Sequence, residues 1–277
     1  MKETEAKQAV RTSYAKIASK GGSCCGPSCC GGTESVDLVS KQIGYSDEDI
    51  QKVPEGANLG LGCGNPVAMA SLKEGETVLD LGSGAGFDCF LASPRVGNKG
   101  KVIGVDMTPE MIAKANENKI KGEFSNVEFR LGEIEKLPVA DDSVDVIISN
   151  CVINLSPDKL KVFKEAFRVL KPGGRIMVSD IVLLDPIPNE IRNSIEMYVS
   201  CIGGASLKAE YLDFIKDSGF EDIRVISETN FGYDYVQSVL SSQPAESILN
   251  YLVISQETIK DTANSIISIK VKAIKKP

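Results

Sequence analysis

The chain has 277 residues, of which 42% are hydrophobic and 25% charged, a balance that excludes wholesale disorder and leaves room for one large core. Its formal charge of −7 gives no electrostatic reason to bind a nucleic-acid backbone, so a small-molecule substrate is expected. No run approaches the roughly 20 uninterrupted apolar residues of a membrane helix, and the polar start MKETEAKQAVRTSYAKIASK lacks the apolar stretch of a signal peptide. A cytoplasmic protein, free of membrane, is the expectation. There is no histidine, so the usual general base near neutral pH and every Cys/His zinc site are excluded. Eight cysteines, expected to be reduced in that compartment, suggest chemistry more than stapling.

In chain order, residues 4–19 read as an amphipathic helix. GGSCCGPSCCGG (21–32) reads as a flexible loop with two thiol pairs, Cys24-Cys25 and Cys29-Cys30. A short helical segment is expected around Ser46–Lys52, then a turn at Pro54-Glu55-Gly56 and a loop over Asn58–Pro66. From Thr77 strands and helices alternate. Strands are expected at 77–82, 101–106, 126–132, 143–150 and 175–184. Helices are expected at 87–93, from Pro109 to about Lys121 with Thr108 as N-cap, and over Pro157–Leu170, ended by Lys171-Pro172-Gly173-Gly174. Further helices are expected near 190–200 and 208–218, a strand near 222–227, helix over the less regular 232–255, and a last alternating strand over 265–275. Alternation of this kind implies an α/β fold, with a mostly parallel sheet covered by helices on both faces. No internal repeat is visible.

Two features carry chemistry. The first is VLDLGSGAGFD, in which Gly82-x-Gly84-x-Gly86 follows a strand directly. A ligand lying on such a turn needs backbone without Cβ atoms. The third glycine comes one residue too early for the G-x-G-x-x-G pyrophosphate fingerprint, which argues against NAD and FAD. Asp106 ends the second strand, where a carboxylate can accept both hydroxyls of a ribose.

Together, Asp80–Gly86, Asp106, Gly132-Glu133-Ile134 and Leu170–Gly174 resemble the motifs of seven-stranded class I methyltransferases that use S-adenosylmethionine (SAM). The resemblance covers about residues 60–275. It implies a Rossmann-like sheet with an antiparallel last strand. It also implies that Asp80, Gly82, Ser83, Gly84, Asp106, Met107, Gly132, Glu133, Ile134 and Asn150 form the SAM site. Within it Gly82, Ser83 and Gly84 would line the methionine end and Asp106 would hold the ribose. Met107, Glu133 and Ile134 would lie near the adenine, and Asn150 near the methyl-bearing end. The expected partition is an N-terminal helical and Cys-rich segment over 1–59, a SAM-binding core over 60–228 and a C-terminal extension over 229–277 that supplies the last strand.

The second feature is the set Cys63, Cys151 and Cys201. Cys151 follows the fourth strand, whose carboxyl end faces the ligand crevice of an open parallel sheet, and loops could bring Cys63 and Cys201 over the same crevice. Thiolates converging without histidine suit a soft, thiophilic centre. Trivalent arsenic bonds three sulfurs, keeps a lone pair, and needs no general base to accept a methyl group. LGLGCGNP, SNCVINL and CIGGA resemble arsenite methyltransferases. That resemblance implies As(III), as arsenite or a thiol conjugate, on Cys63, Cys151 and Cys201. It also implies a disulfide relay through the N-terminal cysteines, restored by thioredoxin or glutathione; the doubled pair CCGPSCC leaves open which of Cys24, Cys25, Cys29 and Cys30 acts. Three other readings stand beside this one. CCGPSCC could be a four-thiolate zinc site, although adjacent cysteines strain a tetrahedron. The acceptor could be a small organic molecule, with Asp180 or Tyr198 as base. The fold could bind or sense a metalloid without turnover. Cys89, in the apolar FDCFLA, is expected in the core.

Overall fold

The computed structural model describes residues 3–20, 32–230 and 256–277. The cysteine pairs at 24–25 and 29–30, and the helix expected over 232–255, lie outside the described residues. The chain opens with helix α1 (Glu3–Lys20), α2 (Gly32–Gln42), α3 (Asp47–Gln51) and α4 (Pro66–Met69). It then alternates through β1 (Thr77–Leu81), α5 (Phe87–Val96), β2 (Lys101–Asp106), α6 (Pro109–Lys121), β3 (Val127–Leu131), β4 (Val144–Asn150), α7 (Lys159–Val169) and β5 (Leu170–Leu183). Short helices α8 (Asn189–Arg192) and α9 (Ile195–Val199), then α10 (Lys208–Asp217), β6 (Glu221–Asn230), α11 (Gln256–Ser265) and β7 (Ile266–Ile274) complete it.

The strands form one seven-stranded sheet in the order β3-β2-β1-β4-β5-β7-β6. The pairs from β3 to β5 are parallel, and β7 runs antiparallel to both β5 and β6. The α/β fold expected from the sequence is therefore present, with its antiparallel last strand. Strand alternation sends successive side chains to opposite faces. Val78, Val146, Ile148 and Met177 pack with α5 residues Phe90 and Leu91 on one face. Leu79, Leu81, Ile147, Ile176 and Val178 pack with Phe163, Tyr211 and Ile215 on the other. Cys89, as expected, is buried in the first of these cores.

Several boundaries differ from expectation for local reasons. The helix Gly32–Gln42 was not expected; Val36, Val39 and Ile43 lie at helical spacing, but the glycines beside them break the sequence pattern. Residues 190–200 form two helices rather than one, because the Ser194 hydroxyl accepts the Met197 N–H and starts a new helix there. Thr108 stands at the start of α6 but its side chain does not cap the helix; its own N–H is taken by Asp106 at 2.8 Å. The KPGG segment belongs to β5, which starts at Leu170 opposite Val144 and passes Gly173 at φ +82°.

β1 and β4 are neighbours at the point where strand order reverses, Leu81 lying opposite Ser149. In sheets of this kind the ligand crevice opens at that point, beyond the carboxyl ends of the strands. The polypeptide that leaves β1 is the glycine turn, and the one that leaves β4 carries Cys151. Beyond β5 the sheet thins: Ile269 on β7 is fully buried, whereas Ile226 on the edge strand β6 is 46% exposed. Ile269→Ala should therefore cost about 2–5 kcal/mol in urea unfolding, while Ile226→Ala should stay within about 0.5 kcal/mol of the parent chain; equal losses would contradict this placement of β7.

Candidate active site

A cleft opens at the crevice. Its walls include Lys7, Val10 and Tyr14 of α1, the loop 57–62, the turn 82–85, Asp106–Thr108, and the ends of β4 and α9. The turn is built for close approach. Gly82 has φ +66°, and a Cβ there would overlap the side chain of Val152. Gly84, at φ +52°, has open space where a Cβ would stand, so the cleft reaches its backbone. Asp106 clamps the turn from the neighbouring strand: one carboxylate oxygen accepts the Gly84 N–H at 3.0 Å and the other the Thr108 N–H. Gly132 N–H donates to the Asp106 carbonyl.

The thiol loop is fixed with equal economy. The Cys63 N–H donates to Asn150 Oδ1 at 2.9 Å, Asn150 Nδ2 donates to the Gly64 carbonyl at 2.7 Å, and the Cys63 carbonyl accepts the Ser268 hydroxyl at 2.9 Å. The glycines on either side of Cys63 permit this docking. A Cβ on Gly62, at φ +115°, would stand 2.7 Å from the Asn150 amide, and one on Gly64 would overlap the Ser179 hydroxyl. Asn150 Nδ2 also reaches Tyr45 Oη at 2.9 Å and Asp88 Oδ2 at 3.2 Å, while Tyr45 donates to Asp88 at 2.7 Å.

The three cysteines meet. The Cys63 and Cys151 sulfurs lie within 4.8 Å of one another, and the neighbouring thiols of Cys201 and Cys63, with burial, hold the Cys151 pKa well above the ordinary thiol value. The Cys201 thiol donates to the Cys151 carbonyl at 2.8 Å. The hydrogen bond from Cys151 favours the Cys201 thiolate, but burial and the buried charge of Asp180 outweigh it and raise that pKa too. Cys63 and Cys201 are buried and Cys151 is half-buried on the cleft wall. Cys151 (φ +59°) and Cys201 (φ +67°) both hold left-handed backbone.

The bases expected of an organic-acceptor enzyme do not face the cleft. Tyr198 donates its hydroxyl to the Leu155 carbonyl at 3.1 Å, and burial pushes its pKa up to about 12. Asp180 is fully buried behind Cys63 and Cys151, held by Asn154, Tyr211 and the Ile181 N–H.

The family model described as "Methyltransferase domain" matches residues 72–219. An arsenite methyltransferase of Halobacterium salinarum is 50% identical over 230 residues, which are 80% of this chain and 59% of that protein. The human arsenite methyltransferase is 40% identical over 175 residues, 60% of this chain and 46% of its own. The crystal structure of an arsenic(III) S-adenosylmethionine methyltransferase from Chlamydomonas reinhardtii superposes with a TM-score of 0.63 at 33% identity, covering 86% of this chain and 74% of that one. The chain belongs to the class I SAM-dependent methyltransferases, of the arsenite methyltransferase type. It spans about half to three-fifths of the length of the curated relatives it matches.

The cofactor of this family is SAM, and the cleft fits it. The Ser83 hydroxyl is buried in the glycine turn with no protein partner, poised for a polar group of a ligand. Each oxygen of Asp106 accepts one backbone N–H and has capacity for a ribose hydroxyl as well. Asp80, Met107, Gly132 and Ile134 line the same cleft. Glu133 faces α1, its oxygens taken by Lys7 and Arg11 at 2.9 Å each, and the carboxylate on the cleft wall is Glu135. Asn150 lines the cleft, but its amide is spent on protein partners. The sequence reading missed Tyr45, Asp88 and Glu135. Asp88 had a signal, a carboxylate in the first turn of an otherwise apolar helix.

Burial raises the pKa values of Asp80, Asp88, Asp106 and Asp180, to about 6 for Asp88 and about 7 for Asp180. Unfolded aspartates lose their protons near pH 3.9. Between about pH 4 and 7 the folded state thus holds protons that the unfolded state has released, and raising pH across that window draws the chain toward unfolding. Glu128, held at about 2 by Arg130 and Lys101, acts in the opposite sense and only at lower pH. The melting temperature should fall from pH 5 to pH 8, and the fall should be smaller in Asp180→Asn; parallel pH profiles of the two proteins would refute the assignment.

Proposed function

We propose that the chain methylates trivalent arsenic, with Cys63, Cys151 and Cys201 holding As(III) as a tris-thiolate and SAM as methyl donor, in the service of arsenic detoxification. The observation that carries this reading is the gathering of three cysteines at the crevice that the glycine turn and Asp106 frame: the Cys63 and Cys151 sulfurs lie within 4.8 Å of one another, and the Cys201 thiol sits on the Cys151 carbonyl at 2.8 Å. SAM supplies an electrophilic methyl group bound to a sulfonium. The turn at Gly82–Gly84, the Ser83 hydroxyl, Asp106, Met107 and Ile134 hold it at one side of the cleft, and Asp80 and Gly132 complete that wall.

Arsenite or its thiol conjugate exchanges its ligands onto the three cysteines, which release their protons as they bind. Bound to three sulfurs, arsenic keeps its lone pair, the nucleophile that direct transfer requires. The protein then supplies no base in the transfer step, in keeping with a cleft whose lining includes neither Asp180 nor Tyr198. Its contribution is positioning and exclusion of water. On this reading the N-terminal cysteines Cys24, Cys25, Cys29 and Cys30 form the disulfide relay that returns the site to its reduced state, with thioredoxin or glutathione as reductant.

Two measurements test the proposal. Cys151→Ser and Cys201→Ser should each abolish methylarsenical production from arsenite, SAM and thiol, read by mass spectrometry, with S-adenosylhomocysteine binding retained; full activity in both would overturn it. Gly62→Ala forces a Cβ against the Asn150 amide, so it should lower arsenite affinity about tenfold or more, as displacement of a group that orients a ligand does, and leave S-adenosylhomocysteine binding in place. Unchanged arsenite affinity in that variant would show that docking of the Cys63 loop does not matter.

A further inference from the structure

The donor set around Cys151 includes an oxygen as well as sulfurs. A carboxylate oxygen of Asp180 and the sulfurs of Cys63 and Cys151 all lie within 4.8 Å of one another, and the Cys201 thiol, outside that cluster, donates to the Cys151 carbonyl at 2.8 Å beside it. Asp180 is held rigidly. Its Oδ1 accepts from Asn154 at 2.9 Å and from the Ile181 N–H at 3.0 Å. Its Oδ2 accepts from the Tyr211 hydroxyl at 3.0 Å, which leaves that oxygen capacity for one more partner. The positive charge of Lys159, itself mostly buried, acts on both Asp180 and Cys201 and offsets part of the negative charge the group would carry when ionised.

Trivalent arsenic has no use for this oxygen, because it is complete with three sulfurs and a lone pair. A d10 dication of the zinc group differs. It takes four ligands in a tetrahedron, with thiolate sulfur at about 2.3 Å and carboxylate oxygen at about 2.0–2.2 Å, which sets neighbouring donors about 3.5–3.8 Å apart. A spread of up to 4.8 Å lies about 1 Å outside that, a distance that side-chain adjustment around an ion closes. Thiolates also select soft cations over magnesium or calcium.

We infer that Cys63, Cys151 and Asp180, joined by Cys201 when its side chain turns from the Cys151 carbonyl, form a four-coordinate site for a thiophilic divalent cation, Zn2+ or Cd2+, which occupies the sulfurs proposed for trivalent arsenic and blocks the cleft. Such an ion displaces the thiol protons and ligates all four groups, and it presents no lone pair to a methyl group. It is therefore a competitive, unreactive occupant. The cation site rests on the positions of the donor atoms, and its competition with trivalent arsenic rests on the arsenite reading.

The test is a Cd2+ titration of the full chain carrying Cys24→Ser, Cys25→Ser, Cys29→Ser and Cys30→Ser, so that the N-terminal thiols do not compete. Sulfur-to-cadmium charge-transfer absorption should show one ion per chain, released by excess arsenite, and the 113Cd NMR shift should lie in the range of three sulfurs with one oxygen. Asp180→Asn should weaken Cd2+ binding about tenfold or more. A 113Cd shift without an oxygen ligand, an equally tight Asp180→Asn variant, or a parent chain that binds S-adenosylhomocysteine but no stoichiometric Cd2+ would each overturn the inference. The first reading uses the unsubstituted Asp180 and so does not depend on how the variant folds. Cd2+ binding that requires Asp180 in a chain that forms no methylarsenicals would sink the arsenite proposal alone.

Discussion

The side-chain amide of Asn150 accepts the Cys63 N–H and donates to the Gly64 carbonyl, so the loop ahead of β1 is fastened to the last residue of β4. The same amide reaches Tyr45 and Asp88, which tie it to the chain ahead of α3 and to the first turn of α5. One planar group thus sets the relation between the thiol loop, the strand that delivers Cys151 and the helix that follows the glycine turn. Each neighbour is shaped to admit it: Gly62 has no Cβ to strike it, and Ser268 on β7 holds the far side of Cys63. Displacement of this amide would leave buried donors and acceptors unpaired, at about 1–3 kcal/mol for each group.

The backbone at the other two cysteines is held against its own preference. Left-handed φ costs a residue with a Cβ about 1–2 kcal/mol, and both Cys151 and Cys201 adopt it. The surroundings over-determine the conformation. The Cys151 N–H donates to the Ser179 carbonyl at 2.8 Å, which continues the β4–β5 ladder past Asn150, and the Cys201 N–H closes the end of α9 on the Tyr198 carbonyl. Strain of this kind persists where a side chain must be aimed, and here it accompanies a Cys151 sulfur within 4.8 Å of that of Cys63 and a Cys201 thiol directed at the Cys151 carbonyl.

The fold was legible because its signals are periodic. Alternation of apolar strands and amphipathic helices from Thr77 onward needs only a window of ten residues to appear, and the glycine turn with Asp106 marks the crevice by spacing alone. What could not be read depends on pairs far apart in sequence. Asn150 reads as a ligand contact by its place at the end of β4; that its amide is filled follows only when residues 45, 63, 64 and 88 come together. Glu133 is a cleft residue by the family resemblance, yet Lys7 and Arg11, more than a hundred positions earlier, draw it toward α1. Tyr45 lies in a segment with no motif, and its burial, to 4% exposure, is a tertiary fact.

Two kinds of group have been separated in this cleft. The polar groups that frame the turn, Asp106 and Ser83, stand on the β1–β2 side and keep hydrogen-bonding capacity toward the cleft. The sulfurs stand on the β4–β5 side against an apolar wall of Ile181, Leu183, Met197 and Ile202. Burial there makes an isolated thiolate costly and helps to raise the pKa values of Cys151 and Cys201. A centre that binds all three sulfurs at once removes that cost, because it replaces three separate charges with covalent bonds and leaves nothing to solvate. On the proposed reading the same burial discourages monofunctional electrophiles and favours a trivalent, thiophilic one, so that selectivity would arise from the number of sulfurs and the dryness of their wall and not from any single cysteine.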